Sequence, residues 1–195
     1  MTATETHKNL PVLAFPSQAA WEAWLAAQPR EHPGVWLKYA KKGSGLDSVT
    51  HAEAVGSALC WGWIDGLMQP YGPQHWLVRY TPRRPKSKWS AKNKAAAIRL
   101  IAEGRMQPPG LAEVERAKAD GRWDAAYAPQ SEAQIPDDLA AALEANPKAR
   151  AFFETLRGGN RYAILYRLHD AKRPETRAKR LADFVARCAR GETLR

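Results

Sequence analysis

The sequence predicts an α+β protein: a small mixed or mainly antiparallel sheet with helices, followed by a compact all-helical region. Three observations predict it. Two short runs of strand formers, residues 10–15 and 35–40, alternate with helical spacings. The stretch Ala58-Leu59-Cys60-Trp61-Gly62-Trp63-Ile64-Asp65-Gly66 then closes a helical pattern and opens an extended one. Beyond residue 86 the apolar patterns are helical, which places a small α/β unit at 1–85 and a helical region at 86–195.

Residues 10–15 are apolar, with Pro11 near the start, where a first strand tolerates a missing N–H. Ser17 can cap a helix whose face carries Trp21, Trp24, Leu25 and Gln28. Pro29 and Pro33-Gly34 end it. Val35, Trp36, Leu37 and Tyr39 make the next strand; parallel pairing of the two early strands stays open beside antiparallel pairing. Lys41-Lys42-Gly43-Ser44-Gly45 is a basic turn whose amides suit an anion. It lacks the glycine-lysine-serine/threonine ending of a phosphate-binding loop and reads as a surface loop.

Thr50-His51-Ala52-Glu53 fits a capping box, and Ala54, Val55, Ala58 and Leu59 recur at helical spacing up to a stop at Gly62. Asp65-Gly66 is a turn signal of the kind that joins hairpin strands; residues 67–71 and 75–80 are the expected paired strands, with Tyr71-Gly72-Pro73 as a further turn. Ser90 caps a helix with Ala95, Ile98, Ile101 and Ala102 inward. Pro108-Pro109 opens another that ends at Gly121. After an irregular connection holding Trp123 and Tyr127, helices start near Pro136, Asn146 and Pro174, with one more between Gly158-Gly159-Asn160 and His169. Short connections favour antiparallel packing.

Charge is uneven. Residues 1–73 hold five basic and six acidic side chains, residues 74–124 twelve and five, and residues 125–195 thirteen and nine, within a net charge of +10. From Arg79 through Lys94 there are seven basic residues and no acid. Arg83, Arg84, Lys86, Lys88 and Lys92 form a basic bridge suited to phosphates, with Trp61, Trp63 and Trp89 as aromatic support. The same strip also serves as a solvated link whose charges face water, and most tryptophans of this kind are core or domain-joint residues. Exposure of the rings decides between the two.

Few residues suggest catalysis. Asp65 sits at a glycine turn beside Trp61 and Trp63; in a cleft, desolvation would make it an acid or base, whereas a turn aspartate binds backbone amides. Cys60 could join His51 and Asp65 in a nucleophilic site, but no local motif supports that triad. The histidines are too scattered for a metal, and neither a zinc spacing nor a dinucleotide fingerprint is present, so neither metal nor cofactor is expected. Cys60 and Cys188 lie in apolar helical patterns, as buried free thiols of a reducing compartment do. Residues 1–10 lack an apolar signal core and no later run could span a bilayer. A cytoplasmic protein is expected, with association at a membrane surface left open.

The motifs ALCWGWIDG, TPRRPKSKWSAKN, AEGRMQPPGL and DGRWDAAY resemble the YdeI/OmpD-associated protein family. IPDDLAAALEANPKARAFFETL, RYAILYRLHDAKRPETRAKRL and ARGE extend the resemblance from about Leu10 to Glu192, the C-terminal half being similar to the family's OmdA-type region. Trp61 stands where the family commonly has phenylalanine. The family's bacteriocin-protection and OmpD-associated labels imply a bacterial stress or envelope role, and the resemblance carries over no catalytic set. Together these readings point to a non-enzymatic adaptor or stress-related binding protein whose partner stays open, with nucleic acid or another polyanion at the basic bridge, or an acidic protein, as candidates. The alternative is a small-molecule enzyme with its site near Asp65 and Cys60.

Overall fold

The computed structural model describes residues 5–194. Its fold is α+β, as expected. Five strands, β1 (Thr6–His7), β2 (Leu10–Leu13), β3 (Val35–Ala40), β4 (Trp63–Tyr71) and β5 (His75–Pro82), form one sheet in the order β1-β2-β3-β5-β4. The question of the early strands is settled by α1 (Gln18–Ala26). It crosses between β2 and β3, which run parallel, with Val12 beside Trp36; the other pairs are antiparallel. Ser17 caps α1 through the Ala20 N–H at 3.3 Å.

The helix α2 (His51–Cys60) starts with the expected capping box. Thr50 Oγ1 accepts from the Glu53 N–H at 3.3 Å, and Glu53 Oε2 accepts from the Thr50 N–H at 2.9 Å. Two faces of α2 are buried. One, with Ala54 and Ala58, joins α1 and the sheet residues Val35, Leu37, Tyr39, Val78 and Tyr80. The other, with Leu59 and Cys60, joins Trp89, α3 (Ala91–Ala102) and α4 (Pro108–Ala119).

Two expectations are corrected. Asp65-Gly66 is no hairpin turn: β4 runs through it with a bulge between Asp65 and Met68, and the chain reverses after Tyr71. Gly72 takes the left-handed conformation (φ +68°) that a tight reversal needs, whereas Gly66 does not. The compact units also divide after Ala126 and not at 85/86. The reason is packing: Ala97 and Leu100 of α3 and Val114 and Ala117 of α4 share a core with the last turn of α2, so they belong with the sheet.

The second unit, from Tyr127, contains α5 (Asp137–Glu144), α6 (Pro147–Thr155), α7 (Gly158–His169) and α8 (Pro174–Ala189). Leu139, Phe153, Ile164, Leu168, Phe184 and Cys188 make its core. Arg177 of α8 grips Asp138 of α5 with Nε at 2.6 Å and Nη2 at 2.8 Å, and donates Nη1 to the Leu168 carbonyl at 2.8 Å. Those hydrogen bonds hold the Asp138 carboxyl below its ordinary pKa. The stabilisation is therefore complete above the unfolded carboxyl pKa and lost as pH falls through the lower folded value. Both side chains keep about a third of their surface exposed, 31% and 36%. Asp138→Asn is thus expected to lose only about 1 kcal/mol at neutral pH. Hydrogen exchange of the α8 amides should register that loss at pH 7 and little difference from wild type in strong acid.

Candidate functional site

Strand alternation aims one set of side chains at the helix-covered face of the sheet. From β3 and β5 this set includes Tyr39, Trp76 and Tyr80, and from β4 Trp63 and Asp65, with Asp65 opposite Tyr80 in register. Tyr39 and Tyr80, 1% and 0% exposed, share a hydrogen bond between their hydroxyls at 2.8 Å. Trp76 stacks on Tyr39 with centroids 4.5 Å apart and planes at 19°.

His51, the first residue of α2, closes this cluster. Its ring meets Tyr39 edge-on at 5.9 Å and lies 5.5 Å from Trp76. Its Nε2 is sealed from solvent and has no hydrogen-bond partner among the described residues. Burial chiefly, with the charge of Lys92 adding to it, pushes the imidazole pKa down against the opposing pull of Asp65. The half-buried Asp65 also adds to what burial does at both phenols, pushing them far above the ordinary tyrosine range. The result is a carboxylate within electrostatic reach of a neutral imidazole and two linked neutral phenols, with the exposed Lys92 in the first turn of α3.

Each tyrosine hydroxyl is the other's buried partner. Tyr39→Phe or Tyr80→Phe alone should cost about 1–2 kcal/mol, because one hydroxyl is left unpaired. The double substitution should cost clearly less than the sum. A double-mutant cycle in urea checks this, with a coupling of about 1 kcal/mol expected.

The expected triad does not assemble. Cys60 ends the helix that His51 begins, about 13 Å away along the axis. Its thiol is buried with Trp89 and Leu100, and that burial raises its pKa, the reverse of an activated nucleophile. Of the catalytic candidates, Asp65 and His51 come together, with Lys92 in electrostatic reach of His51. Tyr39 and Tyr80 were not singled out, and with Trp76 they complete the cluster. Their signal was the period-2 alternation Val35-Leu37-Tyr39 and Trp76-Val78-Tyr80, which puts all three on one face.

The basic bridge is only partly available. Arg83 is 3% exposed, with its guanidinium 3.7 Å from the centre of the Trp89 ring and Nη1 donating to the Lys88 carbonyl at 3.2 Å. It packs the bridge down and cannot meet a phosphate. Arg84, Lys86, Lys88 and Lys92 are exposed. The aromatic support is absent as a surface: Trp89 and Trp63 are buried, at 2% and 3% exposed, and Trp61 is half-buried against both cores of the unit. Arg122 was missed by sequence reasoning; it ties the bridge through the Ser87 carbonyl at 2.6 Å.

Residues 132–191 match the family model described as bacteriocin-protection, YdeI or OmpD-associated, and residues 13–113 match that of a domain of unknown function (DUF8412). The chain belongs to the DUF8412 family, and its residues 132–191 are a YdeI/OmpD-associated (OmdA) domain. In this DUF8412 protein the Asp65–His51 cluster lies wholly within the DUF8412 match, and helices α5 to α8 lie within the OmdA match. No curated protein and no solved structure matches the chain. Among the described residues no group of three histidine, cysteine or acidic side chains could hold a metal, and no helix is long and apolar enough to cross a membrane.

Proposed function

We propose that the N-terminal unit binds a small polar molecule at the Asp65–His51 cluster and exchanges a proton with it. One observation carries the reading: a buried imidazole nitrogen without a partner, beside a carboxylate and a pair of phenols. An unpaired buried nitrogen costs about 1–3 kcal/mol, a cost that a bound donor or acceptor removes. In this reading His51, neutral near pH 7, takes or gives the proton at Nε2, and Asp65 accepts a donor from the ligand or balances the charge that forms. Tyr39 and Tyr80 stay protonated and fix the polar wall, while Lys92 draws the anionic part of the ligand. Affinity for a ligand that donates to Nε2 falls as acid protonates His51.

Native mass spectrometry of the purified full chain, followed by a metabolite screen read as thermal shift, tests this. The expected result is a retained or stabilising small molecule whose effect disappears in Asp65→Asn and His51→Gln, both with unperturbed far-ultraviolet circular dichroism. A ligand that binds both variants as well as wild type would remove these residues from the site. The absence of any stabilising compound would remove the reading itself.

The exposure of Arg84, Lys86, Lys88 and Lys92 within one stretch favours a second reading, weak contact with nucleic acid or another polyanion. In it the protein is a non-enzymatic adaptor, and the family's bacteriocin-protection label supports a stress or envelope setting. Titration with DNA, RNA and heparin decides it. Salt-sensitive binding that weakens in Arg84→Glu/Lys86→Glu is expected, and no binding at low salt ends it.

A further inference from the structure

The C-terminal unit contains a cavity of about 240 Å³ that plays no part in the Asp65 cluster. Tyr127, Tyr162 and Tyr166 line it. Tyr127 and Tyr166 meet edge to face, with centroids 5.0 Å apart and planes at 85°, and Tyr162 is tilted on Tyr166 at 5.8 Å. The rings therefore turn a corner and do not form a flat stack. The Tyr162 hydroxyl donates to the Ala128 carbonyl at 2.9 Å, which fastens the loop before α5 to α7 and keeps the aromatic wall in place.

Charge at this cavity runs against the rest of the chain. Arg177 also lines it, but its guanidinium is committed to Asp138 and the Leu168 carbonyl. The opening continues into a shallower depression that adds Glu132 and Asp137, both exposed. Apart from His169, the side chains with charge to offer a ligand here are acidic, in a protein of net charge +10. Aromatic faces attract cations through the ring quadrupole, and nearby carboxylates add to that attraction. The cavity is smaller than the roughly 300–1,000 Å³ of pockets that hold drug-sized ligands, so it suits a compact group.

We propose that this tyrosine-lined cavity binds a small organic cation, an alkylammonium group, with Tyr127, Tyr162 and Tyr166 around the charge and Glu132 and Asp137 at the entrance. Asp137 and Asp138 also have a structural role, since acids in a first turn suit the positive end of α5. The three ring faces meeting at one corner beside those carboxylates are what separates a cation site from ordinary helix capping.

The test compares choline with 3,3-dimethylbutanol, its uncharged carbon isostere, and with benzoate as an anion. Full-length protein carrying ring-labelled tyrosine is titrated by NMR. Choline is expected to shift the three tyrosine rings and to bind about fivefold or more tighter than the isostere, the gain of roughly one cation–π contact. Tyr127→Phe should keep that preference, because the ring face remains, while Tyr127→Leu should lose it. Glu132→Gln/Asp137→Asn should weaken choline and leave the isostere unchanged. Equal affinity for choline and isostere, preference for benzoate, or unmoved tyrosine resonances with all three compounds would overturn the proposal. None of these outcomes bears on Asp65 or His51, which belong to the other unit.

Discussion

Gly110→Ala is expected to destabilise the N-terminal unit by about 3 kcal/mol, the upper end for overfilling a packed site. A Cβ at Gly110 would stand 2.2 Å from the Cys60 carbonyl oxygen, 2.7 Å from that of Leu59 and 2.8 Å from the Cys60 carbonyl carbon. All three atoms are backbone at the closing turn of α2, so no side-chain rotation relieves the clash. The same Cys60 carbonyl accepts the Gln107 N–H at 3.1 Å, just before α4. Moving α4 away would break that bond and open the core around Val114 and Ala117. Gly62 reinforces the point from the other side of the contact: its φ is +75°, and a Cβ there would meet the Pro109 carbonyl oxygen at 2.9 Å. A control sits within α2 itself. Gly56 is helical and nothing lies within 4 Å of an added Cβ, so Gly56→Ala should stabilise by about 0.5–1 kcal/mol. Urea unfolding of the three proteins checks the pair of signs. A Gly110→Ala chain as stable as wild type would mean that α2 and α4 do not approach as closely as their backbones indicate.

That contact also explains what the sequence left illegible. Helix existence was readable wherever a cap preceded a periodic run: Thr50-Glu53, Ser90 and Asn146 all cap as expected. The location of the unit boundary was not. Glycine within a helix is usually a weakness, and only the approach of another backbone turns Gly110 into a requirement. Without that contact, Ala91–Ala102 and Pro108–Ala119 look like the start of the helical half, though they cover the free face of α2. The Asp65-Gly66 signal failed for a related reason. A dipeptide predicts a turn through local conformation, whereas a bulge depends on the register with β5, which is a property of two strands. The candidate site was half legible. Asp65 and His51 were picked out by their chemistry, but Tyr39 and Tyr80 looked like ordinary strand aromatics until pairing placed their hydroxyls 2.8 Å apart. Cys60 looked available because eight intervening residues say little in sequence, yet in a helix they put the two side chains at opposite ends.

Trp89→Ala is expected to destabilise the same unit by about 4 kcal/mol, within the usual range for truncating a buried tryptophan. Trp89 is 2% exposed and packs edge to face on Trp123 with centroids 4.9 Å apart. The opposite demand comes from Arg83, whose guanidinium lies 3.7 Å from the indole centre and is itself buried. Removing the ring therefore opens a cavity and also strips a buried cation of its aromatic face, which adds to the loss. Trp89→Phe should cost less than half as much. It keeps a ring against Trp123 and Arg83, and it discards an indole N–H that is buried with no partner among the described residues. The contrast with the neighbouring exposed cations makes the measurement informative about function as well as folding. Arg84→Glu and Lys86→Glu should change stability by no more than about 0.5 kcal/mol, as exposed positions away from core features do. Equilibrium unfolding of these variants, paired with their retention on heparin, separates two physical roles along the bridge: Arg83 and Trp89 hold the fold, and the exposed charges alone can meet a polyanion. If Trp89→Ala instead unfolds like wild type and loses heparin retention, the indole is a binding surface, and the stacked Arg83–Trp89 pair is not what fastens the bridge to its core.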